Sequence, residues 1–193
     1  EMPLFYYGQG TRFRRFEGPS RPENFGTEGF FAYMAAALNF IAAAPDYYGM
    51  GDGPGFHHHN SYQTNSSSGI DMIRAARKLA TQQGIGYNSQ VYISGYSEGG
   101  HNAMGILKMV KDQNLRSEFN IISAGCGSGA YDEYDLQYRF ILDNPYYPTR
   151  SYILYIIATC EDIYGNLINE EQGETVSTYA NHPYDSLYNA HLL

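Results

Sequence analysis

A strand-like run, Val91-Tyr92-Ile93-Ser94, passes without a linker into Gly95-Tyr96-Ser97-Glu98-Gly99-Gly100 and then into a helical pattern. Residues 98–111 place Ala103, Ile106, Leu107 and Val110 on one side at helical spacing. A strand that turns straight into a helix needs a further strand to return to. In a parallel sheet that return is a right-handed crossover. This junction therefore points to an α/β layer before any other part of the chain is considered.

The flanking sequence repeats the alternation. Residues 3–9 read as a strand that breaks at Gly10, and residues 39–44 as a small-residue strand ending at Pro45-Asp46. Thr27 is placed to cap a helix through Phe31, Met34, Ala35 and Leu38. Ser66 or Ser67 is placed to start another, with Ile70, Ile73, Ala76 and Ala80 on its apolar face. Residues 119–125 form a last strand pattern. The expectation is a parallel sheet with helices on both faces over residues 1–130. Residues 131–193 differ in kind. Eleven of the 20 tyrosines lie between Tyr131 and Tyr188, and residues 151–162 are the clearest helix there. This segment is expected to form a helical cap, or lid, on the core.

Composition excludes several classes. The net charge is -8 and the only lysines are Lys78, Lys108 and Lys111, so the broad basic face that nucleic acid requires is missing. The apolar run over residues 30–44 is broken by Asn39 and stops at Pro45, short of a membrane span. Cys126 and Cys160 allow one disulfide at most, too few for a disulfide scaffold or a cysteine zinc site, and free thiols are expected. The chain opens on a strand pattern rather than a leader, and a missing N-terminus is expected.

The chemistry concentrates at the junction. Gly95-Tyr96-Ser97-Glu98-Gly99 fits G-x-S-x-G, and its place between strand and helix is the setting of a nucleophile elbow. Side chains at Gly95 and Gly99 would collide where helix meets strand, and the sharp turn projects the Ser97 hydroxyl off the sheet. The helix then offers the N–H of Glu98 to a developing oxyanion. A second donor must come from a neighbouring strand end. Tyr7-Gly8-Gln9-Gly10-Thr11 ends the first strand, so the Thr11 N–H is the expected partner, with Gln9 and Gly10 supporting the loop.

Other features carry less. In His57-His58-His59 neighbouring side chains point opposite ways, so at most two could share an ion, and loop histidines near a cleft are expected rather than a metal site. Asp46 and Asp52 are expected to cap turns. The glycine-rich residues 49–55 lack the Lys-Ser/Thr ending of a phosphate loop.

Taken together, the motifs resemble the α/β-hydrolase superfamily, and within it bacterial serine hydrolases related to secretory lipases. The resemblance runs through Gly8-Gln9-Gly10-Thr11, Ala44-Pro45-Asp46-Tyr47-Tyr48-Gly49-Met50-Gly51-Asp52, Asp71-Met72-Ile73-Arg74-Ala75-Ala76-Arg77, Gly95 to His101, and Ser123-Ala124-Gly125. It implies an esterase or lipase, sometimes a peptidase, working through an acyl-enzyme on Ser97 beneath a helical lid. No metal or organic cofactor is implied. The partner is a small ester or acyl substrate, and a secreted or periplasmic location is favoured. The oligomeric state stays open. Relatives carry His-Gly where this chain has Gln9-Gly10. Their acid and histidine follow the serine in the order Ser, Asp, His. Here His101, His182 and His191 follow Ser97, with Asp143 and Asp162 as acids, and none sits after a recognisable strand. The expectation is therefore a fragment truncated at both ends. A hydrolase-like binding protein without its acid and base is the alternative.

Overall fold

The computed structural model describes residues 1–165, apart from 22, 24, 25, 145 and 147. Four strands form one parallel sheet: β1 (Met2–Gly8), β2 (Ile41–Ala43), β3 (Tyr87–Tyr96) and β4 (Asn120–Gly127), in the order β2-β1-β3-β4. Helix α1 (Gly29–Ala37) links β1 to β2, α2 (Tyr62–Gln82) links β2 to β3, and α3 (Glu98–Asp112) links β3 to β4. After β4 a π-helical turn (Glu133–Gln137) runs into α4 (Tyr138–Asp143), and α5 (Arg150–Tyr164) follows.

Strand alternation decides which residues meet which helices. Leu4 and Tyr6 of β1, with Val91 and Ile93 of β3, face α2 and α3 and pack on Ile70, Ile73, Ala103, Ile106 and Val110. Tyr7 points the other way and stacks on Phe31 of α1 at 5.1 Å, so helices lie on both faces. The alternation slips once. The pairing of β3 with β4 shifts between Val91↔Ile121 and Tyr92↔Ser123, leaving Ile122 as an extra, half-exposed residue. That bulge turns both Ile121 and Ala124 toward the core.

Two helix starts differ from the sequence expectation. Helix α2 begins at Tyr62 with Ser61 as its cap, not at Ser66 or Ser67. Asn65 and Ser66 are fully buried inside it, against α3. Their polarity suggests a helix end, but Asn65 serves the site described below. Thr27 lies in a 3-10 turn (Gly26–Glu28), and α1 starts after it without a side-chain cap. Glu28, at the capping position, sends its carboxylate to the β1 loop instead.

Cys126 and Cys160 are free, and burial pushes both thiols above their ordinary range. Among the described residues no helix is long and apolar enough to cross a membrane.

Candidate active site

Ser97 sits between β3 and α3 with φ 56° and ψ -122°, a left-handed conformation that side chains rarely adopt. Its N–H donates to the Gly127 carbonyl at 2.9 Å, tying the turn to the end of β4. The strain is held by backbone packed on backbone. A Cβ on Gly95 would strike the Gly99 carbonyl, and one on Gly99 would strike the Gly8 carbonyl. Gly100 is closed in by Gly127 in the same way. The two motif glycines thus bring β1, β3 and the first turn of α3 together at one point.

The loop after β1 is clamped through a single peptide unit. The Tyr47 hydroxyl donates to the Gln9 carbonyl at 2.9 Å, and the Gly10 N–H donates to Glu28 Oε2 at 2.7 Å. Both polar atoms of the Gln9–Gly10 peptide are therefore engaged, and the next residue, Thr11, lines the cavity with Ser97. Support comes from the Gln9 backbone rather than its side chain. The Gln9 amide is fully buried and finds no hydrogen-bond partner among the described residues. Tyr47 suits its task, because burial, with the nearby Tyr6, Glu98, Glu28 and Tyr7, keeps its hydroxyl protonated far above the ordinary value.

Glu98 gives more than a backbone N–H. Its side chain is fully buried at the start of α3. Oε1 accepts from His57 Nε2 at 2.8 Å, from Asn65 Nδ2 at 3.1 Å and from the Asn60 N–H at 3.2 Å. Oε2 lies 3.1 Å from His59 Nδ1. Burial pushes the carboxyl upward, but the nearby His57 and His59 and the hydrogen bond from His57 outweigh it and hold it well below its ordinary range. These partners leave no sequence signal beyond the alternation in His57-His58-His59. That alternation holds: His57 and His59 face Glu98, while His58 Nε2 turns to Asp162 at 2.7 Å. The grouping does bring three ligand atoms within 4.8 Å of one another. Three donors already crowd one carboxylate oxygen, so the arrangement reads as a hydrogen-bond network around Glu98.

Helix α5 docks on this loop. The His59 ring stacks on Tyr155 at 4.7 Å, and the His59 backbone N–H donates to Thr159 Oγ1 at 2.9 Å. Phe13 packs on Tyr152 and Tyr155. The Tyr155 hydroxyl donates to the Arg12 carbonyl at 3.2 Å. Helices α4 and α5 thereby enclose a cavity of about 410 Å³ over the elbow. Thr11, Ser97 and Glu98 line it on the sheet side, and Phe140, Ile153 and Ile156 on the helix side. Glu133 also lines it, accepting from Asn60 Nδ2 at 2.6 Å, and burial pushes its carboxyl above the ordinary value.

The structure thus brings Ser97, Thr11 and Glu98 to one cavity, with Gln9, Gly10, Gly95 and Gly99 behind them. Asp162 is engaged with His58, and Asp143 ends α4 on the surface. His101 is mostly buried in α3, and that burial pushes its pKa below the ordinary value. His182 and His191 lie outside the described residues.

A family model for the prolyl oligopeptidase family matches residues 27–139, more than half of the chain. The chain belongs to the prolyl oligopeptidase family. Its fold is that of the α/β-hydrolases. It is similar to a Legionella pneumophila protein of solved structure, 25% identical, with a TM-score of 0.76 over 96% of this chain and 50% of that one. The ligand-bound rice cell wall degrading esterase LipA from Xanthomonas oryzae is 21% identical, with a TM-score of 0.78 over 100% and 53% of the two chains. Candida antarctica lipase A in its closed state is 16% identical, with a TM-score of 0.61 over 93% and 40%. The chain spans about half the length of the first two structures. No curated protein sequence matches it.

Proposed function

We propose that the protein is a serine hydrolase that cleaves carboxylic esters through an acyl-enzyme on Ser97. The observation that carries this reading is the strained Ser97 backbone at the strand–helix turn, opening into a largely apolar cavity. Ser97 attacks the acyl carbon, and the N–H groups of Glu98 and Thr11 hold the oxyanion. Helix start 98 leaves its N–H without an intrahelical acceptor, as such a donor must be. The described part of the segment from residue 131 onward acts as a cap, with α4 and α5 forming the wall that receives the acyl group. No histidine is assigned as the base.

The second reading is a peptidase, favoured by the family whose model the chain matches. Elbow chemistry serves ester and amide alike. The deciding experiment is a panel of acyl esters and peptide amides on wild type and Ser97→Ala. Ester turnover lost in Ser97→Ala, with thermal stability kept, supports the first reading. Preference for amides moves the substrate to peptides. Undiminished turnover in the variant refutes both.

A further inference from the structure

An oxyanion donor needs only the backbone of residue 98, so the buried machinery around the Glu98 side chain calls for its own explanation. His57 supplies the first part. Its Nδ1 lies 2.9 Å from the Tyr48 carbonyl, which only accepts. Its Nε2 faces Glu98 Oε1, which already accepts from Asn60 and Asn65. Both ring nitrogens of His57 are therefore engaged, one at the Tyr48 carbonyl and one at the Glu98 carboxylate. His59 supplies the second part. It stands between Glu98 Oε2 and helix α5, where its ring stacks on Tyr155 and Tyr152. A continuous chain of contacts therefore runs from α5 to the residue beside Ser97.

We propose that the His57–Glu98–His59 network couples the seating of α5 to the oxyanion donor, with Glu98 as a positioning residue. The inference rests on the serine-hydrolase reading of Ser97. A buried carboxylate is stable only while its partners stay in place. When α5 lifts, His59 loses the rings that hold it, and the Oε2 side of Glu98 loses its neighbour. That loss moves the side chain whose own N–H begins α3. Other titratable groups face the network. Tyr47 and Tyr155 flank the His57 ring, Tyr152 and Tyr155 flank His59, and His101 and Glu133 act on the same charges.

The test uses the full natural chain labelled with ¹⁵N. The Glu98 amide resonance should shift when α5 is loosened by Tyr155→Ala, and His59→Gln should shift it as well. Labelling of Ser97 by a fluorophosphonate should slow roughly 10–100-fold in Glu98→Gln, within the range for a misplaced oxyanion donor. A Glu98 amide indifferent to both variants, or stoichiometric zinc uptake by the three residues, overturns the coupling. Labelling that persists in Ser97→Ala refutes the serine reading instead, and the amide shifts then judge the coupling on their own. Those shifts are read in Tyr155→Ala and His59→Gln, so a misfolded Glu98→Gln leaves the test intact.

Discussion

The elbow and the docking surface of α5 are held by different means. At the elbow, backbone meets backbone: Gly8, Gly95, Gly99 and Gly100 leave no room for a methyl group. At α5, side chains meet side chains: Phe13, His59, Tyr152 and Tyr155 stack, with a few polar pins at the edge. A backbone junction has one arrangement. A stack of rings can separate and close again at moderate cost. The part that holds strain is thus rigid, and the part that the proposed function needs to open is the separable one.

Gly99→Ala tests the rigid side and should have the largest effect. Its methyl group meets the Gly8 carbonyl, and neither backbone can yield. Loss of more than about 4 kcal/mol, or of the folded state, is expected in chemical denaturation. Gly10→Ala is the control. Its methyl group meets the Glu28 carboxylate at 2.8 Å, the end of a flexible side chain, and about 1 kcal/mol is expected. Equal losses in the two variants would remove the distinction between the regions.

Tyr155→Ala tests the separable side. Tyr155 is 1% exposed and touches Phe13, Phe56, His57 and His59. Truncation should cost about 3–5 kcal/mol of local stability. Hydrogen exchange should show α5 opening while β1, β3 and α3 keep their protection. Uniform loss of protection would mean that α5 and the sheet unfold as one unit.

The same contrast separates what the sequence reveals from what it hides. Backbone junctions are written in glycines at fixed offsets, so Gly95, Ser97, Gly99 and the strand on either side are legible. Parallel pairing follows from alternation and handedness, while the order β2-β1-β3-β4 shows only in the structure. The Glu98 network is not legible, because Asn65 and His57 lie 33 and 41 residues from Glu98 in sequence. Only the fold brings them together, and polar residues inside α2 imitate a helix start. The bulge at Ile122 likewise needs the register of β3 to be seen. The general base stays unread because no described histidine is both uncommitted and exposed to the cavity.

Acid should expose the network's charge. The Glu98 carboxyl is held well below its ordinary 4.5, so the unfolded chain binds the proton first. Its stabilisation is complete above pH 4.5 and drains away as the pH falls below it. His101, lowered from 6.5, adds the same sign at an earlier stage, as pH falls through 6.5. Glu133, raised from 4.5, opposes them by favouring the folded state when protonated. A pH series of denaturation midpoints should therefore slope downward toward acid in two stages. His101→Gln should remove the first and Glu98→Gln the second.

Ser97→Gly should reverse the usual sign of an active-site change. Glycine tolerates φ 56° and ψ -122° and relieves strain of order 1–3 kcal/mol, against roughly 0.5–1 kcal/mol of added chain entropy. A net gain of about 1 kcal/mol in denaturation, with turnover abolished, is expected. A loss would mean that the surrounding backbone stores no strain at the serine.

The smallest effect is expected at the edge of the α5 stack. Asp162 is 40% exposed where it meets His58 at 2.7 Å, so solvent screens the pair. Asp162→Asn should cost no more than about 1 kcal/mol. The rings of Tyr152 and Tyr155 would still hold α5 down, and the Glu98 network would keep its partners. The informative measurement is the opening rate of α5 by hydrogen exchange rather than global stability. A faster opening with an unchanged Glu98 amide places His58–Asp162 as a latch outside the coupling. An amide that shifts with it would extend the network from His59 to the whole histidine run.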